Sequence, residues 1–295
     1  MSIPAPASPL QQLSDALADV VVQAARSVVA VHSTRSRSSG FIWRPGLIVT
    51  ADEALAEEGD ISVALPDGET GAATLVGRDP TTDVALLRID RLDAPAAALQ
   101  SAPVGVGALA SAVGSQNGAP IAAFGAVSFV GGAWRSLRGG EIDARVELDL
   151  SLRRAGEGGL ALDASGRAFG MVVFGPRRRA LVIPAATIDR VAAKLEAHGR
   201  IARGYLGLGL QPTRLDGESG FGAMVMNVDP NGPGATAGVR QGDVIIKWSG
   251  QPIRDVRTLL RALGPDSVGS TVELSLLRGG EPAEAALTIG ERPES

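Results

Sequence analysis

The chain has 295 residues, 45% hydrophobic and 20% charged, a balance that excludes wholesale disorder and, at roughly 100–200 residues per domain, suggests two domains. Zero cysteines exclude a disulfide scaffold, thiolate zinc sites and a cysteine nucleophile, and two histidines, His32 and His198, are too few for a multi-histidine metal site. A formal charge of −4 offers no basic field, so no nucleic-acid partner is expected; no cofactor or metal is expected either.

The start, Met1-Ser-Ile-Pro-Ala-Pro, has no basic region followed by an apolar core, so the sequence by itself reads as cytoplasmic. The apolar stretch 20–31 is interrupted by Gln23 and Arg26 and is too short to span a bilayer. Leu10, Leu13, Leu17, Val20, Val21 and Ala24 recur at helical spacing and predict an amphipathic helix closing an N-terminal extension over 1–26.

From Ser27 the texture changes to short β-type runs bounded by Gly, Pro or Asp, at 28–31, 47–50, 61–65, 73–76, 84–89, 125–130, 146–148, 170–174 and 181–184. Many strands without intervening helices, with 38 glycines, predict a barrel or sandwich over 27–198. Thr187 is the expected cap of a helix with Ile188, Val191, Ala192 and Leu195 on one face, stopped at His198-Gly199. A joint is expected over 199–204, a second domain over 205–290 with a turn at 234–238 and a helix at 255–263, and a tail over 291–295.

The strongest local signal lies in this second domain. The string Gly204-Tyr-Leu-Gly-Leu-Gly-Leu, followed by Val228-Asp-Pro-Asn-Gly-Pro-Gly-Ala-Thr-Ala-Gly-Val-Arg-Gln-Gly-Asp-Val-Ile, resembles a bacterial PDZ domain. The resemblance implies that amides around Tyr205, Leu206 and Gly207 receive a peptide's terminal carboxylate. The strand through Leu208 and Leu210 would offer an edge for β-augmentation, with Val256, Leu259 and Leu260 on the opposite wall. The alternative is that Leu206, Leu208 and Leu210 simply alternate into a core.

The first domain contains Ser39-Gly-Phe-Ile, Gly46-Leu-Ile-Val-Thr, Asp79-Pro-Thr-Thr-Asp-Val-Ala-Leu-Leu-Arg-Ile, Gly125-Ala-Val-Ser and Asp163-Ala-Ser-Gly-Arg-Ala-Phe-Gly. With a PDZ-like domain behind it, this set resembles the HtrA/DegP serine proteases. The fold implied is mainly β, a trypsin-like double β-barrel followed by an α+β PDZ domain. The family's Thr-x-x-His motif reads Thr50-Ala-Asp-Glu here, so Glu53 takes the histidine position, while the acid is kept as Asp83. An aspartate stands eight residues before the family's nucleophilic serine; counting eight from Asp149 reaches Glu157, in Ala155-Gly-Glu-Gly-Gly. The first Gly and the Asn of the family's Gly-Asn-Ser-Gly-Gly motif are also replaced, by Ala155 and Gly156.

A carboxylate with an ordinary pKa near 4 is a weak base at neutral pH, and Glu157 has no hydroxyl to activate. No functional catalytic residue is therefore expected. His32 and His198 are read as ordinary strand and surface residues, and Asp52 as exposed. Clustered carboxylates raise one another's pKa, bind a cation or pair with basic residues. The readings open for this cluster are a solvated surface, closure of the cleft by Arg153, Arg154, Arg177, Arg178 or Arg179 neutralising the glutamates, and a metal site or unorthodox hydrolase. The function implied is a non-catalytic scaffold or regulator that binds protein C-termini or unfolded clients, as a homo-oligomer or with an active paralogue. A peptidase with residual or unorthodox activity and a structural assembly subunit with a closed groove are the other readings. The family resemblance implies the periplasm if a leader has been removed.

Overall fold

The protein is described by a computed structural model covering residues 8–34, 36–90, 94–101, 103–215 and 220–293. Two compact units divide after Ile201. In the first, helix α1 (Pro9–Ala25) begins where Ser8 Oγ accepts the Gln11 N–H at 3.2 Å, with Pro9 at the position that tolerates a missing donor. Val20, Val21 and Ala24 pack on the core, whereas Leu10 and Leu13 remain exposed.

Strands β1 (Val28–Ser33), β2 (Ser36–Arg44), β3 (Leu47–Thr50), β4 (Ile61–Ala64), β5 (Thr70–Asp79) and β6 (Val84–Arg88) close a barrel in the order β1-β2-β3-β6-β5-β4. Its interior is filled by Val29, Val31, Ile42, Ile48, Val63 and Leu87. Strands β7 (Leu109–Gln116), β8 (Ala119–Gly131), β9 (Trp134–Arg135), β10 (Glu141–Ile142), β11 (Arg145–Asp149), β12 (Leu160–Asp163), β13 (Ala168–Phe174) and β14 (Ala180–Pro184) follow. All but β9 and β10, which pair as a separate hairpin, close a second barrel in the order β11-β14-β13-β12-β7-β8. Another apolar cluster, including Phe41, Leu86, Val113, Leu160 and Ile183, joins residues of both barrels to the buried face of helix α2 (Ala185–His198). The barrels are thus fixed to each other by a shared core.

Five strands of this unit, β2, β7, β9, β10 and β12, lie outside the β-type runs read from the sequence. Strands β9 and β10 are two residues long, and in β2 and β7 the runs Ser-Arg-Ser-Ser-Gly and Leu-Ala-Ser-Ala-Val-Gly-Ser are built largely from small residues, which blunt the alternation that marks a strand. Thr187 does not cap α2. The helix starts two residues earlier, and the buried Thr187 hydroxyl instead donates to Asp143 Oδ2 at 2.5 Å and accepts the Asp143 N–H at 3.0 Å. The helix ends as expected, with Gly199 left-handed and its N–H on the Leu195 carbonyl.

In the second unit, β15 (Gly204–Tyr205) pairs with β22 (Gly290–Glu291), so Gly204 and Glu291, read from sequence as joint and tail, belong to one small sheet. The main sheet has the order β16 (Leu208–Arg214), β17 (Phe221–Val228), β18 (Val244–Trp248), β20 (Thr271–Arg278) and β21 (Glu281–Thr288), with β19 (Gln251–Pro252) on β18. Helices α3 (Pro233–Thr236) and α4 (Val256–Arg261) complete it. The Asp of Gly242-Asp-Val-Ile has a structural role. Asp243 is 1% exposed, and Arg278 grips both its oxygens, Nε to Oδ1 at 2.9 Å and Nη2 to Oδ2 at 2.8 Å, while the Arg240 N–H adds a third bond. The hydrogen bonds from Arg278 hold this carboxyl below its ordinary range. Asp243→Ala removes these bonds from a buried site and is expected to cost about 2 kcal/mol, lowering the melting temperature of the second unit by roughly 10 °C in calorimetry of the full chain.

Candidate functional site

Glu53, Asp83 and Glu157 converge, and each is placed by a local device that the sequence encodes. The buried Asp79 carboxylate receives the Thr81 N–H at 3.0 Å and the hydroxyls of Thr81 and Thr82 at 2.5 and 2.7 Å. That closes the Asp79-Pro-Thr-Thr turn and delivers Asp83 at the head of β6, with φ +59. A left-handed residue other than glycine costs about 1–2 kcal/mol, which the surrounding bonds sustain. Glu53 follows the adjacent strand β3, and its N–H donates to Asp83 Oδ1 at 2.7 Å. Asp52 is not at the surface as expected: it is 3% exposed and paired with Arg78 of β5, which also donates to the Asp52 carbonyl at 3.2 Å. The pair anchors the turn that carries Glu53.

Glu157 comes from the second barrel. A single 3-10 turn, Arg154–Gly156, places the Gly156 N–H on the Arg153 carbonyl at 2.8 Å and the Glu157 N–H on the Arg154 carbonyl at 3.1 Å. Ser39 of β2 binds this loop from the first barrel. Its N–H donates to the Glu157 carbonyl at 2.8 Å, and its hydroxyl donates to the Ala155 carbonyl at 2.5 Å while accepting the Ser115 N–H at 2.8 Å. The contact is tight enough to demand glycine next: Gly158 has φ +85, and a Cβ there would lie 2.2 Å from the Ser39 carbonyl oxygen.

The Glu157 side chain is 7% exposed and accepts one long hydrogen bond, from the Phe174 N–H at 3.4 Å. Burial pushes its carboxyl upward; the Phe174 bond and the Arg154 charge oppose that, and Glu53 adds to it. Asp83 is displaced further, to about 8. Burial is the main cause, opposed by the Glu53 N–H and reinforced by the charges of Glu53, Glu157 and Asp52. At neutral pH, Asp83 is therefore mostly the protonated acid.

Beside the cluster lies an open cavity of about 580 Å3 lined by Glu53, Glu57, Glu58 and Glu157, with Arg154 the one cation among its described lining residues. Thr34 and Ser36 also face it. The Glu57-Glu58 run and these two hydroxyls were not singled out in the sequence; the adjacent glutamates were the available signal. Neither His32, on β1, nor His198, at the end of α2, lines the cavity.

The five arginines do not pair directly with the glutamates. Among the described residues, no guanidinium lies within 4.0 Å of a Glu157 carboxylate oxygen, although the fields of Arg154 and Arg178 reach it. Arg179 is taken by Glu147 at 3.2 Å, and Arg178 stacks over Phe174 at 4.6 Å. Arg153 and Arg177 are exposed. The cation that reaches Glu53 is Arg138, at 3.3 Å. It comes from the β9–β10 hairpin, which folds back across the Asp83 turn: Arg138 donates to the Pro80 carbonyl at 3.2 Å and Ser136 to the Thr81 carbonyl at 2.6 Å.

In the second unit the sequence-derived residues divide. Leu206 and Leu259 are 3% and 2% exposed and belong to the core, as the alternation reading has it for Leu206, whereas Leu259 was expected on the groove wall. Leu208, Leu210 and Val256 are half-buried, and Leu260 is 56% exposed. Strand β16 is the edge of its sheet, with α4 packed beside it. The Leu206 carbonyl accepts the Gly234 N–H at 2.7 Å, the Gly207 carbonyl accepts the Asp229 N–H at 2.8 Å, and Tyr205 Oη donates to Asp229 at 2.9 Å. Gly207 has φ +67, and a Cβ would meet Gly232 at 2.9 Å, so glycine is required where the loop enters β16.

The Asp83 environment sets a pH dependence. Its carboxyl would ionise near 4 in the unfolded chain and does so near 8 in the fold. The folded state therefore holds a proton that the unfolded state releases, and stability falls as pH rises through that window. Asp83→Asn keeps an acceptor for the Glu53 N–H and removes the titration. Its melting temperature relative to the parent is expected to rise steadily from about pH 5 to about pH 9; a constant difference would contradict this assignment.

Residues 38–171 match the trypsin-like peptidase domain family and residues 204–289 the PDZ domain family. A protein of Halomonas elongata named "Probable periplasmic serine endoprotease DegP-like" is 32% identical over 281 residues, covering 90% of this chain and 59% of its own length. A protein of the same name from Rhizobium meliloti is 30% identical over 276 residues, covering 88% and 54%. The chain thus spans a little over half the length of these relatives. The solved structure of the HtrA-type protease AlgW with a decapeptide aligns with TM-score 0.72 at 25% identity, over 94% of this chain and 99% of that one. A serine endoprotease from Yersinia pestis aligns with TM-score 0.72 at 27% identity, over 98% and 100%. With a trypsin-like peptidase domain followed by a PDZ domain, and DegP-like and HtrA-type proteins as relatives, the chain belongs to the DegP/HtrA family.

Proposed function

We propose that the chain is a non-catalytic member of this family, a peptide-binding scaffold or regulator acting through its PDZ domain. The observation that carries this reading is the meeting of Glu53, Asp83 and Glu157, three carboxylates with no imidazole among them; the sequence resemblance assigns these positions to the family's triad. Acyl transfer needs a nucleophile, a base to take its proton and amides to receive the oxyanion. Glu157 supplies no hydroxyl. Asp83 holds its own proton at neutral pH, and Glu53 is paired with Arg138. In this family of mechanisms the nucleophile's own amide helps form the oxyanion hole; the Glu157 amide is instead committed to the Arg154 carbonyl at 3.1 Å.

The binding half of the proposal rests on the open edge of β16 and the half-buried Leu208, Leu210 and Val256 beside it. An extended peptide would add a strand there, its side chains entering between β16 and α4. The AlgW structures with a decapeptide and a tripeptide support this class of ligand. The relatives' names favour the periplasm over the cytoplasm as its compartment. Among the described residues, no helix is long and apolar enough to cross a membrane.

Two outcomes are expected. Unfolded casein incubated with the protein stays intact on electrophoresis; cleavage that survives repurification would favour the residual-peptidase reading. In a peptide array, sequences ending in a free carboxylate bind, their amidated versions bind at least about tenfold more weakly, and Leu208→Glu removes binding. Leu208 is the informative position because Leu206 is core and its substitution would report on folding.

A further inference from the structure

A second cavity in the first unit, of about 400 Å3, lies between the β9–β10 hairpin and the 175–179 loop and has the opposite charge to the carboxylate cavity. Trp134, Leu137 and Pro176 give it apolar walls. Four guanidiniums line it, those of Arg135, Arg145, Arg177 and Arg179, against the single carboxylate of Glu147. Glu147 is 7% exposed and already shared: Arg145 Nε reaches it at 2.9 Å and Arg179 at 3.2 Å. Arg145 also lies 5.8 Å from the Trp134 ring centroid, and Arg135 pairs with Glu141 at 3.3 Å. Arg177 makes no ion pair among the described residues.

The backbone there is unusual. Arg177 and Arg178 are consecutive left-handed residues, with φ of 59 and 58. Such positions are unfavourable for any residue with a side chain and cluster at ligand clamps and switch segments. Leu137 stands at the lip, 98% exposed.

We propose that this cavity docks an acidic segment of another protein, with a large apolar side chain between Trp134, Leu137 and Pro176 and its flanking carboxylates on Arg177 and the neighbouring guanidiniums. The positive excess selects an anion, and the apolar walls select against a bare phosphate, which would leave them wet. The net negative charge of the chain and the acidic cavity on the same unit disfavour a polyanion such as nucleic acid. This site is additional to the PDZ groove and does not depend on whether the carboxylate cluster is catalytic.

The test is fluorescence anisotropy with the full chain and a dye-labelled peptide of alternating aspartate and leucine, amidated at its C-terminus so that it offers the PDZ groove no terminal carboxylate. Saturable binding is expected, reduced at least about tenfold by Arg177→Glu and by raised salt. Leu137→Ser should weaken it as well, and Leu208→Glu should leave it unchanged. Residues 137 and 177 are exposed, so both variants are expected to keep the parent's melting temperature. No saturable binding below millimolar peptide, equal binding of a lysine–leucine peptide, or parental affinity in Arg177→Glu would each overturn the proposal.

Discussion

The first unit is organised around carboxyl groups brought together where two barrels meet. Ionised carboxylates at that depth repel one another and lose hydration, and among the described residues no close cation offsets either effect at Asp83 or Glu157. The site answers by keeping Asp83 protonated, turning Glu53 outward to Arg138 and leaving Glu157 a marginal set of partners. These responses are costly for a structure whose only aim is stability. They follow if the backbone of a hydrolytic site has been preserved by its own bonds while the side chains mounted on it have changed.

Most of those backbone bonds do not involve the side chains of Glu53, Asp83 and Glu157; the exceptions are the Asp83 oxygen that holds the Glu53 amide and the Glu157 oxygen that accepts the Phe174 amide. Asp79 and its two threonines shape one turn, Asp52 and Arg78 anchor another, and Ser39 clasps the third loop from the opposite barrel. The Ser39 clasp also accounts for the glycine that follows Glu157: the close approach at Gly158 is a packing constraint between barrels. Fold and chemistry are separable here, and the fold alone is not evidence of activity.

Much of this was legible in the sequence. The Asp79-Pro-Thr-Thr-Asp run, the Gly158-Gly159 pair and the eight-residue interval from Asp149 fixed the register, and the Gly204-to-Leu210 string located the edge strand. What the sequence did not reveal were directions. Four of the five arginines flanking the cleft turn to Glu147, to Phe174 or to solvent, since neighbourhood along the chain does not say where a long side chain goes. Arg138 was invisible because its hairpin reaches the Asp83 turn only through tertiary folding. Asp52 looked like a surface residue until Arg78, on another strand, was placed beside it. In the PDZ domain, Leu206 and Leu208 share a parity in the sequence but not a depth, because the turn at Gly207 separates a core residue from an edge-strand residue.

A non-catalytic chain holds no hydroxyl activated as a nucleophile. Intact-mass spectrometry after prolonged exposure to a serine-directed fluorophosphonate distinguishes such a chain from an active one, since the reagent traps an activated hydroxyl without needing the right substrate. The parent chain is expected to keep its unmodified mass. A stoichiometric phosphonyl adduct that maps to one serine or threonine, and that heat denaturation abolishes, would contradict it.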